Sequence, residues 1–448
     1  MLPESEKRLR LNARLLPALA GLALILQLVA PYRGWMILLV GLGGALLTSY
    51  LWARSLSEGL RLTREMRFGW AQVGDRVEER FTLLNDNPLP ALWVEVVDHS
   101  TMPGYHNHRV AILGGQDSTR WRTKGICTQR GLFTLGPTSL STGDPLGIFT
   151  AELDYPGSIP FMVMPPVVSL PSIDVASGGR AGEGRPRLNA PERTASAATV
   201  REYLPGDSPR WIHWRTSARR ESLYVRLFEG VPAGDWWILL DMNQRVQVGQ
   251  GLDATEEHGV ILAASLADRG LRSGKAVGLV THGEELVWLS PRGGEGRRWE
   301  ILRALALIGP GECPLSEGLT QIGPAFGRYA SLVIITPDLR SQWVEALVPL
   351  IRQDIIPTVL LLDRASFGEA GQTSEGTARA EEDARATVRQ ATTLLSGLGI
   401  AHHVISRDFL DRSAMQPGKR GHWEWRVLGT GHAVPVRRPQ EAEWRGLS

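Results

Sequence analysis

Two uncharged apolar segments near the N-terminus constrain this chain more than any other feature. The first, LLPALAGLALILQLVA, covers residues 15–30, and the second, GWMILLVGLGGALLTSYLWA, covers residues 34–53. A membrane-spanning helix needs about 20 apolar residues, with a lower limit of about 17. The second segment meets this length, and the first meets it if its helix extends slightly past these limits. Because only three residues, Pro31 to Arg33, separate the segments, the sequence predicts a two-helix transmembrane hairpin within residues 1–60.

Basic residues lie on either side of this hairpin and are rare in its turn. The flanking basic residues are Lys7, Arg8, Arg10 and Arg14 before it and Arg54, Arg61, Arg64 and Arg67 after it. Such residues stay on the cytoplasmic side of a membrane. We therefore expect a multi-pass protein of the bacterial inner membrane with both termini and the soluble domains in the cytoplasm. A hairpin buried in a soluble core remains an alternative. A cleaved signal peptide fits poorly, because a second apolar segment follows at once.

The overall composition is that of a globular protein of two or three domains. The chain has 448 residues, of which 43% are hydrophobic and 21% are charged. Its formal net charge is +2, which argues against nucleic acid as a partner. The two cysteines, Cys127 and Cys313, lie far apart and lack zinc-ligand spacing, so we expect reduced thiols with a structural function.

Residues 62–170 show the two-residue periodicity of β-strands. Apolar residues alternate around Val77 and Phe81 and again around Val94, on either side of an Asn85–Pro88 turn signal. Further strands are predicted at 108–113, 118–124, 131–135 and 138–142. Short strands at this spacing predict a small antiparallel β-sandwich. Residues 171–196, rich in Gly, Arg, Ser, Pro and Ala, predict a linker or mobile loop.

A dense motif follows the linker. It reads REYLPGDSPRWIHWRTSARRESLYVRLFEG and covers residues 201–230. It resembles the signature of the domain of unknown function 58 family, which reads roughly R-E-Y-x-P-G-D, R-x-I-x-W-x-x-x-A-R and L-x-V-x-x-x-E. The matching residues are Arg201, Glu202, Tyr203, Pro205, Gly206, Asp207, Arg210, Ile212, Trp214, Ala218, Arg219, Leu223, Val225 and Glu229. Residues 130–151 resemble a second element of the same family, with a turn at Asp144-Pro145 and Gly147.

The signature has two interpretations. In the first it is a structural clamp, in which Trp214 and Ile212 fill a core while Arg201, Glu202, Asp207 and Arg219 form an ion-paired network. In the second it is a docking surface for an acidic segment of a partner. An acid–base site built from Asp207 and His213 is a third, weaker reading. The clamp is the expectation from sequence.

Residues 197–435 carry the signature and then alternate apolar strands with helices, and residues 436–448 form a tail. Strands are predicted at 236–242, 275–280, 286–289, 331–338, 358–362 and 402–405, and helices at 255–269, 299–307, 343–351 and 378–395. This alternation predicts a doubly wound, mostly parallel α/β sheet covered by helices on both faces. The segment resembles a von Willebrand factor A domain, which implies a site at the carboxyl ends of the strands.

The same resemblance implies a divalent metal held by a D-x-S-x-S loop. Here the loop reads Asp241-Met242-Asn243-Gln244-Arg245, and Asp338 matches the distal acidic position. Asn243 could still offer an oxygen, but Arg245 brings a cation where Mg²⁺ would sit. We therefore expect Arg245 to lie between Asp241 and Asp338 in place of an ion, and we expect no cofactor.

These features favour a membrane-anchored, non-enzymatic adaptor or assembly factor. The resemblance implies a MoxR-type AAA+ ATPase as its protein partner, because members of the family resemble partners of such ATPases. No phosphate loop, nucleophile elbow or zinc-protease motif is present in the sequence. Two alternatives stay open. One is a metal-dependent hydrolase of envelope or phosphate-containing substrates that uses Asp207, Asp241 and Asp338, and the other is a structural membrane scaffold. No small-molecule substrate is evident from the residues.

Overall fold

A computed structural model describes residues 6–66, 69–171, 173–176, 199–203, 214–220, 222–227, 235–322, 330–368, 375–410, 424–427, 433–437 and 445–446. The chain divides into two compact units. The first comprises Met1–Val168, Leu302–Leu307 and Asp411–Ser448, and the second comprises Ser169–Ile301 and Ile308–Leu410. Most of the predicted linker, from residue 177 onward, lies outside the described residues.

Two apolar helices lie near the start of the first unit, α1 at Leu15–Val29 and α2 at Arg33–Gly59, and they pack against each other. Among the described residues, α2 alone is long and apolar enough to cross a membrane. Helix α1 has 15 residues, fewer than the lower limit of about 17 for a spanning helix. It does not extend past the predicted segment, because Arg14 and the Ala30-Pro31 step bound it. A membrane-spanning length is therefore seen for one of the two helices.

Eleven strands of the first unit form three sheets. They are β1 (Glu6–Leu11), β2 (Leu60–Met66), β3 (Trp70–Gln72), β4 (Arg76–Asn85), β5 (Ala91–Asp98), β6 (His108–Leu113), β7 (Asp117–Ile126), β8 (Gly131–Leu135), β9 (Thr138–Gly143), β10 (Phe149–Tyr155) and β11 (Ile159–Met164). The strand orders are β1-β10-β9-β5-β6, β2-β4-β7 and β3-β11-β8. All pairs are antiparallel except β3 with β11. The strands predicted at 108–113 and 131–135 are confirmed to the residue.

Both ends of the chain contribute strands to these sheets, which the sequence analysis did not foresee. Strand β1 lies inside the segment assigned to the hairpin and pairs with β10. A short strand at Arg445–Gly446, inside the segment assigned to the tail, pairs with β2. Another antiparallel pair joins Glu424–Val427 to Ala433–Arg437. The alternation of β1 is masked by its charge: in EKRLRL only Leu9 and Leu11 are apolar.

The last turns of α2 are part of the core of the first unit. Ala53 and Leu56 are fully buried, and Leu56 belongs to the same apolar cluster as Phe81 and Leu83. Earlier in the helix, Ile37 and Val40 have 73% and 69% of their side-chain surface exposed. One continuous helix therefore changes from an exposed apolar rod to a core element of the β-rich unit.

A charged network is buried in the same unit. The guanidinium of Arg64 donates to both carboxylate oxygens of Glu79, at 2.9 and 2.7 Å, and to Asp98 at 2.9 Å. The Tyr105 hydroxyl donates to Glu79. Because two carboxylates share one guanidinium below the surface, each partner is needed to satisfy the others.

The second unit contains a six-stranded sheet. The elements of this part of the chain are β12 (Thr199–Glu202), α3 (Trp214–Arg220), β13 (Tyr224–Leu227), β14 (Trp236–Leu240), α4 (Thr255–Arg272), β15 (Val277–His282), β16 (Leu286–Arg292), α5 (Glu295–Leu307), α6 (Leu315–Ile322), β17 (Ser331–Thr336), α7 (Gln342–Glu345), α8 (Val348–Ile351), β18 (Ile356–Leu362), α9 (Arg364–Phe367), α10 (Glu375–Gly397) and β19 (Ala401–Ile405). The last turns of α5, Leu302–Leu307, are assigned to the first unit. The main sheet has the order β16-β15-β14-β17-β18-β19. Its strands are parallel except β16.

The predicted mostly parallel α/β sheet is confirmed. Every residue of β14 and of β17 is buried, as expected for central strands covered on both faces. Strands β14 and β17 are parallel neighbours in the middle of the sheet, so their carboxyl ends lie side by side. After β14 the chain continues to β15 on one side, and after β17 it continues to β18 on the other. The carboxyl edge beside these two strands is the place where open α/β sheets hold their sites.

Candidate functional site

Asp241 lies directly after β14 at this carboxyl edge and is 5% exposed. Its Oδ2 accepts a hydrogen bond from the Thr336 hydroxyl at the end of β17, at 2.6 Å, and its Oδ1 accepts one from the Asn243 backbone N–H at 3.0 Å. Thr336 Oγ1 in turn accepts the Asp338 backbone N–H at 2.9 Å. The two predicted acidic positions therefore come together at adjacent strand ends, joined by one threonine.

The loop after Asp241 is closed on itself by side-chain-to-backbone bonds. Asn243 is 2% exposed, and its Oδ1 accepts the Arg245 backbone N–H at 3.1 Å. The Gln247 amide donates to the Asp241 carbonyl at 2.9 Å and accepts from the Thr255 hydroxyl at 2.7 Å. These consecutive turns of the asparagine type use the oxygen that the sequence analysis offered to a metal.

The prediction that Arg245 lies between the two carboxylates is wrong. Arg245 is exposed. The cation at this edge is Arg340, which among the described residues pairs with Asp338 alone: its Nε and Nη2 each lie 2.8 Å from one oxygen of that carboxylate. The Arg340 backbone N–H also donates to Asp338 at 3.0 Å. The sequence analysis missed Arg340, although the D-x-R spacing directly after a buried strand carries the signal for such a pair.

Electrostatics separate the two acids. Burial raises the pKa of Asp241 to about 6, against the opposing hydrogen bonds from Thr336 and Asn243, and the nearby Asp338 adds to the rise. Arg340 is about half exposed and forms an ion pair with Asp338. Asp241 is thus a buried carboxylate without a direct cation among the described residues, and Asp338 is a paired one.

The described residues do not fit a divalent metal. No group of three or more His, Cys, Asp and Glu side chains is placed to share an ion anywhere in the described ranges. Both oxygens of Asp338 point at a guanidinium, and both oxygens of Asp241 accept protein hydrogen bonds. A metal would have to displace the charged pair and the Thr336 bond before it could bind.

The described part of the signature forms a hairpin and a short helix. Strands β12 and β13 pair antiparallel, with Glu202 opposite Tyr224. The Ser217 hydroxyl of α3 accepts the Tyr224 backbone N–H at 2.9 Å. The Tyr203 N–H donates to the Leu223 carbonyl at 2.7 Å. The first and last strands of the signature, far apart in its pattern, are therefore held side by side.

Trp214 is 68% exposed, so the prediction that it fills a core is wrong. In α3, Ser217 is the buried residue, at 8% exposure. Helical side chains lean over the turn that precedes them, and Trp214, at the first position, has no preceding turn of this helix to pack against. Arg219 and Arg220 are also exposed, and the Arg220 guanidinium lies 5.5 Å from the centre of the Tyr224 ring.

Helix α3 thus carries an exposed aromatic ring at its first position and two exposed arginines at its end. We call Trp214, Arg219, Arg220 and Tyr224 the signature face. Hydrogen bonds from Arg220 and Ser222 lower the pKa of the Tyr224 hydroxyl. Arginine and tryptophan are the residues that most often dominate binding energy in protein interfaces.

The rest of the signature region lies outside the described residues. This applies to the side chain of Arg201 and to Pro205, Gly206, Asp207, Arg210, Ile212, His213 and Glu229. The predicted ion-paired network and the convergence of Asp207 with Asp241 and Asp338 therefore stay predictions. Both cysteines are free thiols, and burial raises the pKa of Cys127 to about 12.

Comparison with known proteins agrees with the family recognised from the signature. Residues 199–371 match the family model described as Protein of unknown function DUF58. The chain is also 30% identical over 148 residues to the uncharacterized protein YeaD of Bacillus subtilis (strain 168). That match covers 32% of this chain and 34% of the relative, so the chain spans about a third of the relative's length.

Similarity to solved structures is low. An aerotolerance-related membrane protein from Bacteroides fragilis NCTC 9343 is 16% identical, with coverage of 40% of this chain and 94% of that one, at a TM-score of 0.27. The CARDB domain of the PF1109 protein from Pyrococcus furiosus is 12% identical, with coverage of 24% and 94%, at a TM-score of 0.17. TM-scores this low do not establish a shared fold for this chain.

Proposed function

We propose that this protein is a membrane-anchored, non-enzymatic adaptor that binds a protein partner through its signature face. One observation carries the proposal: Trp214, the aromatic centre of the family signature, is 68% exposed. A large exposed aromatic side chain on the same short helix as two exposed arginines is poorly explained by stability and well explained by an interface. Arg219 and Arg220 are exposed and positively charged. The segment of the partner that binds them is therefore acidic.

The membrane anchor in this proposal is the α1–α2 hairpin. Helix α2 has the length and composition to cross a bilayer, and many of its apolar side chains before Ser49 are exposed, namely Met36, Ile37, Leu38, Val40 and Leu47. Helix α1 packs against it and ends in a three-residue link. The flanking arginines support a cytoplasmic location of both soluble units. A reporter fused after residue 66 and another at the C-terminus are expected to behave as cytoplasmic, and a periplasmic signal from either would reverse this topology.

The second unit serves the adaptor as a von Willebrand factor A-like module. The sheet has the order β16-β15-β14-β17-β18-β19, with β16 alone antiparallel. When these six strands are numbered 1 to 6 along the chain, the order is 3-2-1-4-5-6, which is a doubly wound arrangement and supports this assignment. At the carboxyl edge, the Thr336 hydroxyl donates a hydrogen bond to Asp241, and Arg340 forms an ion pair with Asp338. A buried, fully hydrogen-bonded Asp241 supports a structural function for this edge over the hydrolase alternative.

The partner we infer is a MoxR-type AAA+ ATPase. The full chain in lipid nanodiscs should bind such an ATPase from the same organism in biolayer interferometry. Trp214→Ala and Arg219→Glu should each weaken binding at least tenfold, while Lys124→Glu, an exposed charge reversal in the first unit, should leave it unchanged. Normal binding by a folded Trp214→Ala variant would refute the docking role of the signature face. If neither the unmodified chain nor any of the variants binds the ATPase, the choice of partner is refuted instead.

A further inference from the structure

The turn between β9 and β10 presents an apolar side chain on a rigid support. The Asp144 carboxylate, buried at 2% exposure, accepts the Leu146 N–H at 2.9 Å and the Phe149 N–H at 2.6 Å. Gly147 adopts a φ of +68°, which lets the turn close tightly. Leu146 itself is 64% exposed. The turn thus holds a largely exposed leucine in a fixed position.

Hydrogen bonds fix this turn beside the start of α1. The carbonyl of Ile148 accepts the backbone N–H of Asn12 at 2.9 Å. The Asn12 side-chain amide donates to the Thr150 hydroxyl at 2.6 Å. Leu11 is paired with Phe149 in the β1–β10 ladder, and α1 begins only four residues later, at Leu15.

The turn is also fixed beside α2. The rings of Tyr50 and Phe149 are in edge-to-face contact, with centroids 5.7 Å apart. Two separate sets of contacts, one to the segment just before α1 and one to α2, therefore fix the position of the turn along the hairpin.

The contact with Tyr50 places the turn near the end of the uncharged apolar stretch of α2. The uncharged stretch of α2 runs from Gly34 to Ala53, about 30 Å at 1.5 Å per residue, which matches the hydrocarbon thickness of a bilayer. Tyr50 lies three residues before its end, about 4.5 Å inside it. The exposed charges of Arg14 and Arg54 lie at the starts of the polar flanks, where arginines extend to lipid headgroups.

We propose that Pro145-Leu146-Gly147 is a third membrane contact, in which Leu146 inserts into the boundary between headgroups and acyl chains. This proposal rests on the membrane anchoring proposed above and adds a specific contact to it. The occupant is lipid because the contacts of this turn with Asn12 and Tyr50 place it at the polar end of two helices whose apolar side chains are largely exposed, where Arg14 and Arg54 are exposed as well. A leucine at this depth gains burial of apolar surface, and the rigid turn fixes the orientation of the first unit at the bilayer.

Site-directed spin labelling of the full chain in anionic lipid vesicles tests this contact. Cys313 is replaced by Ala, and Cys127 is retained because its thiol is 1% exposed; this background without an added cysteine should take up almost no label. A nitroxide is then placed by Leu146→Cys or, as a second probe of the same turn, by Pro145→Cys. Leu38→Cys, on the exposed face of α2, reports the bilayer interior. Lys124→Cys, at the far end of β7 from α2, reports water.

Power saturation with oxygen and with a water-soluble nickel complex gives the depth of each label. We expect the label at 146 to be less accessible to nickel and more accessible to oxygen than the label at 124, and shallower than the label at 38. A label at 146 that matches the one at 124, while the one at 38 is lipid-exposed, overturns the third contact and leaves the anchor intact. Protection from both reagents at 146 means that protein covers the tip, which also overturns it. A label at 38 in water overturns both the anchor and the contact.

Discussion

Replacement of Asp241 by Asn should make the second unit more stable at neutral pH. Asp241 is buried at the end of β14 and has no direct cation, and burial raises its pKa from 3.8 to about 6. One pKa unit corresponds to about 1.36 kcal/mol, so a shift of about two units means that the ionised carboxylate costs the folded state about 3 kcal/mol at pH 7. An asparagine keeps the shape, accepts the Asn243 N–H and donates to Thr336, which reverses one bond. We therefore expect a gain of about 1–3 kcal/mol.

The pH dependence of stability should change with the same substitution. Because the folded-state pKa of Asp241 is raised, the folded protein binds more protons than the unfolded chain between about pH 4 and pH 6. The contribution of Asp241 to the free energy of unfolding is thus present in full below pH 4 and is lost as pH rises through 6. Asp241→Asn should remove this loss and flatten the profile in that window.

Hydrogen exchange of β14 and β17 in the detergent-solubilised full chain measures the effect locally, which avoids assuming that two units unfold together. Asp338→Asn is the matched control: it breaks the pair with Arg340 and should destabilise the unit at pH 7. A loss of protection in Asp241→Asn comparable with that in Asp338→Asn would refute the reasoning. It would mean that the Asp241 charge is used, for example by a metal, and Mg²⁺-dependent protection of the parent chain would then identify the ligand.

Three further outcomes follow from burial and pairing. Trp214→Ala should change the free energy of unfolding by less than about 1 kcal/mol, whereas Trp237→Ala, at 5% exposure, should cost about 3–5 kcal/mol, as measured by chemical denaturation. Arg64→Met should lower the free energy of unfolding of the first unit by about 3–5 kcal/mol, because it leaves the buried carboxylates of Glu79 and Asp98 unpaired; chemical denaturation of the full chain measures this loss as well. Mg²⁺ should leave the melting temperature unchanged, and Arg340→Ala should lower it slightly while Arg245→Ala should not, because only Arg340 holds a carboxylate.

Local periodicity was enough to predict most of the secondary structure. Strands such as 331–336 are short apolar runs between turn signals, and their type follows from neighbours that alternate with helices. The short strands at the chain ends escaped, because EKRLRL carries more charge than hydrophobicity and is recognisable as a strand only through its partner β10. Pairing between residues that are 138 or more apart, as in the β1–β10 ladder, is a tertiary effect that no local pattern encodes.

The candidate site shows the same division between local and tertiary information. The positions of Asp241 and Asp338 were predictable, since they lie one and two residues after buried strands and neighbouring parallel strands end at one edge. The identity of the cation was not, because Arg245 and Arg340 stand at similar distances in sequence from an aspartate. The choice depends on the turn at Asn243, whose own carboxamide accepts the Arg245 N–H and carries that side chain away from the edge.

Trp214 shows how an assumption about residue type can mislead a prediction from sequence. Tryptophan is buried on average, and a signature that fixes one suggests a core position. Burial, however, needs an element large enough to cover the ring, and α3 has seven residues with Ser217 on its inward face. The ring is thus exposed among the described residues, on a helix that also carries exposed arginines. The same reasoning applies to Leu146, which is held outward by a buried Asp144. In both places the chain orders an apolar group without burying it, and we expect each to be covered from outside, one by a protein partner and the other by lipid.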